Sequence, residues 1–266
     1  MSARLRSIAS RQNSLVKELR RAFHQSEPTP DGFVAIESVH LIEEAIRSSL
    51  RLGTVFFSES GRARADRLLP QLSRHVETVV LPDDVFASAV STESPQGVAA
   101  LVALPEHSLD PVLSVTDPLV VVASGVQDPG NLGTIVRSAE AFGAAAVLAG
   151  EGTVSQYNAK ALRASAGSIF RLPVFRLSDD ELIATARRLH LRLLATSSHK
   201  GTPLSAADLR GPVALVIGNE GAGVSRTLAR AVDSYLSIPH SPRVESLNAA
   251  IAASILLYEA ARQRKA

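Results

Sequence analysis

The chain is 266 residues long, 45% of them hydrophobic, with a formal charge of +2 and neither cysteine nor tryptophan. That length suits one large domain or two ordinary ones with real cores, and the composition is too apolar for a disordered chain. Without cysteine, disulfide staples, thiolate zinc sites, iron–sulfur ligation and a cysteine nucleophile are excluded.

In chain order, Leu15, Val16, Leu19 and Phe23 stand at helical spacing, which predicts an amphipathic helix over 14–23. A second helix is expected over 37–50, a strand over 54–58, a helix over 65–72 and a strand over 77–81. Asp83 or Asp84 is placed to cap a helix running to Ala89, and the run GVAALVAL at 97–104 reads as a buried strand. Residues 105–118 hold three prolines and little periodicity and read as a linker. From 119 the punctuation changes. LVVVA at 119–123 is a short continuous apolar run, the mark of a strand buried on both faces. A Gly/Asp/Pro turn follows, then a helix over 132–142, a strand over 145–148 and a helix over 158–167. Strands are expected at 172–176, 191–196, 213–217 and 235–238, with helices at 179–190, 224–231 and 246–263. Alternating βα units of this kind imply a parallel sheet with helices on both faces.

Charge is distributed unevenly. Residues 1–25 carry Arg4, Arg6, Arg11, Lys17, Arg20 and Arg21 against Glu18 alone, a net +5. Residues 259–266 carry Arg262, Arg264 and Lys265 against Glu259, a net +2, so the body between is acidic. Such ends are either solvated helix faces or a footprint for phosphates. The aromatic content of 4% disfavours a stacking platform for single strands. The longest apolar stretch, near 247–258, is too short to span a membrane, and no secretory signal is visible, so a cytoplasmic protein is expected. The closest of the seven histidines, His190 and His199, are nine residues apart, so there is no helical zinc pair, and no metal is expected.

Several site chemistries fail on spacing. There is no P-loop and no nucleophile elbow. A dinucleotide fingerprint starting at Gly221 would need glycine where Arg226 stands. What remains are three polar segments at the ends of predicted buried strands: Asp128 to Ser138, Val216 to Gly221, and Ile238 to Asn248, lying within the longer runs DPGNLGTIVRSAEAFGA, VALVIGNEGAGVS and SIPHSPRVESLNAAIAASILLYE. In open α/β sheets, ligands sit at the carboxyl ends of strands. Read singly, each segment has a plain account: Gly130 and Gly133 make a tight turn, Asn131 caps a helix, and Ser246 or Glu245 caps the last one, with Asn248 in its first turn. Together they combine turn residues, amides, hydroxyls and charges three times over.

In residue type, order and spacing, the three segments resemble the motifs of the SpoU (TrmH-type) RNA ribose 2′-O-methyltransferases of the SPOUT class. The resemblance covers roughly 119–262. The amino-terminal half is similar, less specifically, to that family's substrate-binding domain of ribosomal-protein L30e-like fold. It does so through residues 8–17, Glu37-Ser-Val-His40 and Ser94-Pro-Gln-Gly97.

The resemblance implies an α/β chain in three parts: an arm and L30e-like domain over 1–104, a linker over 105–118, and a parallel-sheet SPOUT domain over 119–266 with a deep trefoil knot. It implies S-adenosyl-L-methionine as cofactor, with contacts at Thr196, Ser197, Gly218, Asn219, Ile238 and Leu247. Glycine at 218 would let backbone approach a ligand closely. It implies Arg137 as the central catalytic residue, with Asn131, Glu220, Ser246 and Asn248 completing the site. Arginine stays protonated, so a clamp on phosphate or on the developing alkoxide fits Arg137 better than a literal base. Glu220 would orient Arg137, and Asn131 would position it or the substrate. Structured RNA, ribosomal in the first place, is the implied partner, touched by Arg11, Lys17, Arg20, Arg21, Tyr157, Lys160 and Arg163. A homodimer through the last helix is also implied. The alternatives are a transfer-RNA 2′-O-methyltransferase and a non-catalytic RNA-binding assembly factor.

Overall fold

The computed structural model describes residues 5–198 and 200–264, so Arg4, His199 and Lys265 of the charge and histidine readings lie outside the described residues. In chain order the strands and α-helices are β1 (Arg6–Ser7), α1 (Ser14–Gln25), β2 (Phe33–Glu37), α2 (Val39–Arg47), β3 (Arg51–Ser58), α3 (Ala65–Leu68), β4 (Glu77–Leu81), α4 (Asp83–Ala89), β5 (Val98–Ala103), α5 (Leu109–Leu113) and β6 (Leu119–Ala123). There follow α6 (Pro129–Ala141), β7 (Ala146–Ala149), α7 (Ala159–Ser165), β8 (Val174–Arg176), α8 (Asp179–Arg188), β9 (Arg192–Thr196), β10 (Thr202–Pro203), β11 (Val213–Ile217), α9 (Arg226–Ala231), β12 (Ser234–Ser237) and α10 (Ala249–Arg264). Two compact units result, one of residues 1–106 with 155–170 and one of residues 107–154 with 171–266.

The first unit is a five-stranded sheet in the order β1-β4-β3-β5-β2, mixed in direction. Its core gathers Val16, Leu19 and Phe23 of α1 with Phe56, Phe86 and Leu101. Strand β2 corrects the sequence reading, which began a helix at Glu37. All five residues of FVAIE are buried, and Glu37 ends the strand. Its carboxylate accepts from the Thr92 hydroxyl and the Gln96 amide, and Ser38 caps α2 instead. The segment 155–170, read as part of the catalytic domain, folds with this unit. Helix α7 packs on β2, and Ala159 joins the core. The backbones of Gly61 and Gly97 cross in contact. A Cβ on Gly61 would meet the Gly97 carbonyl oxygen at 2.2 Å.

The second unit is a seven-stranded sheet in the order β10-β12-β9-β11-β6-β7-β8, every pairing parallel. The continuous apolar runs at β6 and β11 are wholly buried, as the sequence pattern requires of central parallel strands. Alternation divides their side chains between two faces. Val120, Val122, Ala214 and Val216 pack with Leu182 of α8, Leu228 of α9 and Leu113 of α5. On the other face α6 and α10 pack on each other, with α10 on β11 and α6 on β7. Helix α5 lies inside the stretch read as a linker, and its buried Leu113 ties it to this core. The last helix begins at Ala249, three residues later than expected, because Asn248 caps it: its side-chain oxygen accepts from the amides of Ala250 and Ile251.

Backbone atoms cannot yield at the Gly61–Gly97 crossing as a flexible side chain would. Gly61→Ala is expected to lower stability by about 3 kcal/mol, read as a drop in the urea midpoint.

Candidate active site

Strands β9, β11 and β12 run parallel beside one another, so the loops that leave their carboxyl ends share one edge of the sheet. There they enclose a cleft of about 530 Å³. Thr196, Ser197, Gly218, Asn219, Ile238 and Leu247, the six positions implied for the cofactor, all line it, as do Glu220 and Ser246. The sequence reading missed Ser198, Tyr235, His240 and Glu245, which also line the cleft. Three of these sit within or beside segments already singled out, and that adjacency was the only available signal.

The middle loop is rigid by construction. Asn219 and Gly223 exchange backbone hydrogen bonds, each 2.9 Å. The Asn219 side-chain oxygen accepts from the amides of Gly221 and Ala222, and its amide group donates to the Gly125 carbonyl. Asn219 thus spends its side chain on building the loop and tying it to the turn after β6. Gly218 is required by the loop itself. A Cβ there would stand 2.5 Å from the Gly223 carbonyl carbon and 2.7 Å from the Val224 nitrogen. The close approach is to the loop's own backbone.

Three of the five residues implied for catalysis form one hydrogen-bonded chain across the three segments. Asp128, not Asn131, caps α6, accepting from the Asn131 amide at 2.9 Å. This leaves the Asn131 side chain free in the first turn to donate to Glu220, while its oxygen accepts from the Asn248 amide group at 3.0 Å. Glu220 also accepts from the Ala249 backbone at 3.4 Å. Its carboxylate therefore lies at the amino end of α10, where the helix dipole favours negative charge. Arg137 lies on the exposed face of α6 and makes no hydrogen bond or ion pair among the described residues. Glu220 therefore holds Asn131 rather than Arg137.

The residues read as RNA contacts lie in the first unit, and several of their charges are already engaged. Arg11 pairs with Asp84, and Arg20 donates to the Ser88 carbonyl and hydroxyl. Arg21 donates to the neutral Gln25, and Lys17 is exposed with no partner among the described residues. Helix α1 is a core element, so the basic arm is not a detachable tail. On α7, Lys160 and Arg163 are exposed and Tyr157 is half-buried just before it. Arg163 donates to the Thr92 hydroxyl. Two arginines near the carboxyl end are likewise engaged. Arg262 pairs with Glu259, whose carboxyl is pulled down to about 2 by hydrogen bonds from Arg262 and Gln263. Arg264 donates to the carbonyls of Leu209, Asp117 and Gly211, and burial lowers its own pKa. Among the described residues, no group of three or more metal-ligating side chains converges, and no helix is long and apolar enough to cross a membrane.

Residues 118–258 match the model of the SpoU rRNA Methylase family, and residues 13–100 match the MRM3-like substrate binding domain. The chain belongs to the SpoU family. It is 34% identical over 254 residues to the Bacillus subtilis 23S rRNA (guanosine(2553)-2′-O)-methyltransferase RlmP, covering 96% of this chain and 98% of that one. It superposes on the AdoMet-bound rRNA methyltransferase from Sinorhizobium meliloti with a TM-score of 0.83 at 26% identity, over 97% and 98% of the two chains. With the SpoU methyltransferase AviRb from Streptomyces viridochromogenes, in complex with AdoMet, the TM-score is 0.82 at 29% identity, over 96% and 99%.

For this SpoU chain the Asn131–Glu220–Asn248 bridge makes a specific prediction. Asn248→Ala removes both the cap and the bridge and is expected to cost about 1 kcal/mol of stability along with activity. Asn248→Asp keeps a capping oxygen but loses the donor to Asn131. Methyl transfer should then fall while the thermal midpoint holds much closer to that of the unaltered chain.

Proposed function

We propose that this chain transfers the methyl group of S-adenosylmethionine to a ribose 2′-hydroxyl of 23S-type ribosomal RNA. One observation carries the reading. A cleft lined by all six implied cofactor positions stands at the sheet edge where Glu220, Asn131 and Asn248 join the three segments. Ribosomal RNA is favoured as substrate by full-length relatives that bear such names and by the front domain matched over 13–100.

The cleft suits an adenosine-bearing cofactor. Its volume is in the range of small-molecule sites, and Gly218, Gly221 and Gly223, which carry no side chain to cover the backbone, line it together with the half-buried Ile238. Thr196, Ser197, Gly218, Ile238 and Leu247 would hold it. When bound, S-adenosylmethionine supplies an electrophilic methyl carbon on a sulfonium.

The chain's own residues deal with the other reactant. A ribose hydroxyl is a weak nucleophile and sheds its proton as it attacks. Arg137 carries a fixed positive charge with no protein partner to compete for it among the described residues. It clamps the neighbouring phosphate or the developing alkoxide through charge-assisted hydrogen bonds. Asn131, six residues earlier on α6, is held in a single orientation from both ends of its amide and positions the substrate beside Arg137. Ser246, exposed at the rim, completes the polar wall. On the first unit Lys17 and Arg21 of α1, with the exposed Lys160 and Arg163 of α7, would meet RNA phosphates. Arg11 is paired with Asp84 and Arg20 with Ser88, and Tyr157 stands half-buried just before α7.

The chain works as a homodimer in the cytoplasm. On α10, Ile251 is 54% exposed and Tyr258 57%, on one stripe with the half-buried Ile255, an apolar face suited to a second copy. The deep trefoil knot is part of the same reading. It draws support from family membership.

Arg137→Ala is expected to abolish methyl transfer, at least a thousand-fold, while calorimetry still shows cofactor binding. Loss of both together would count against the assignment. Mapping of 2′-O-methylated riboses in a strain lacking the protein should show one missing mark in 23S-type RNA. Unchanged ribosomal maps would sink the substrate reading. Ile251→Glu with Tyr258→Glu should halve the mass seen by light scattering.

A further inference from the structure

The second unit contains a buried carboxylate that the proposed chemistry leaves unused. Asp179 is the first residue of α8 and is 4% exposed. One of its oxygens accepts from the Ser225 hydroxyl at 2.5 Å. The other, Oδ1, has no hydrogen-bond partner among the described residues and lies against Gly150, 3.4 Å from where a Cβ on that glycine would stand. Burying an ionised carboxylate with one oxygen unmatched is costly. The needs of α8 do not explain it. Ser178 and Glu181 already form a complete capping box, and Asp180 adds an exposed negative charge to the same turn.

The partner does explain it. Ser225 ends the loop that begins at Gly218, and every residue from Gly218 to Val224 lines the cleft. The Ser225 hydroxyl accepts from the Leu228 amide, capping α9, and donates its hydrogen to Asp179. The Ser225 amide donates to the Ser124 hydroxyl at 3.3 Å, and the Ser124 amide donates to the Ile217 carbonyl at 2.9 Å. Ser124 therefore pins the loop where it leaves β11 and again where it ends. Asp179 fixes the direction of the hydroxyl at that second foot.

We propose that Asp179 is a positioning residue for cofactor binding, acting through Ser225 to hold loop 218–225 in its cofactor-receiving conformation. The inference rests on the reading that this cleft takes S-adenosylmethionine. An unaltered Ser225 without Asp179 keeps its place in sequence but loses the acceptor that orients it, so the loop's far end is released while Arg137 and Asn131 stay in place.

The test uses the full chain and S-adenosylmethionine, with Asp179→Ala, Asp179→Asn, Ser225→Ala and the double variant D179A/S225A. Calorimetry should show the dissociation constant rising ten-fold or more in each alanine variant. The double variant should be no more than about three-fold weaker than the worse single, because both remove the same hydrogen bond. Asp179→Asn retains an oxygen acceptor and should recover most of the affinity. In the turnover assay the loss should fall on the cofactor's KM rather than on kcat. Without cofactor, hydrogen exchange at the 218–225 amides should quicken in D179A while β6 and β11 stay protected. If D179A fails to fold, S225A and D179N still decide the matter through the same exchange and affinity measurements. Wild-type affinity in S225A or a folded D179A, or alanine effects that multiply, would overturn the proposal. An unaltered chain that binds no cofactor would instead overturn the reading of the cleft, and this inference with it.

Discussion

The second unit depends on the pairing of β11 between β6 and β9. Five residues of β11 align with five of β6, and four with β9, all in parallel. Parallel pairing makes the strands end together, and a parallel sheet must bury both faces, which dictates the unbroken apolar runs. Because the strands end together, the turn after β6 and the loop after β11 are neighbours. The bonds from Asn219 to Gly125 and from Ser225 to Ser124 are then short local links rather than long reaches. The site is built from the ends of strands whose interiors are plain valine, leucine and alanine.

This accounts for what could be read beforehand. LVVVA and VALVI announce buried strands, and the six positions that the family resemblance implied for the cofactor all line the cleft at the sheet edge. What escaped depends on partners distant in sequence or on loop closure. Strand β2 merges at Glu37 into the helical period of α2, and only the distant Thr92 and Gln96 donors explain a buried acid at a strand end. Strands β1 and β10, two residues each, have no period to detect. The need for glycine at 218 comes from a chain reversal five residues later. The burial of Asp179 is invisible in a run of three acids that looks like a solvated helix start.

Charge teaches the same lesson. The basic ends were the most conspicuous feature of a nearly neutral sequence. In the fold Arg6, Arg11 and Arg262 meet carboxylates, and Arg20 and Arg264 meet carbonyl oxygens. Counting basic residues along a sequence measures a supply, and the tertiary structure decides how much remains for a polyanion. Of the amino-terminal arm's charges, Lys17 has no partner among the described residues and Arg21 meets only the neutral Gln25.

The segment 155–170 interrupts the strand succession of the second sheet, yet folds into the first unit. Ser155 donates to the Ser26 carbonyl, Ala159 fills the core, Arg163 reaches Thr92, and a Cβ on Gly167 would stand 2.8 Å from the Glu44 Cβ. The front unit is therefore discontinuous in sequence. A gene fusion or exchange that cuts after residue 106 would transplant a body missing one of its own walls. It would leave the donor with an orphaned amphipathic helix between β7 and β8. Substrate-recognition bodies of this design can be inherited or replaced only together with a piece of the sheet that follows.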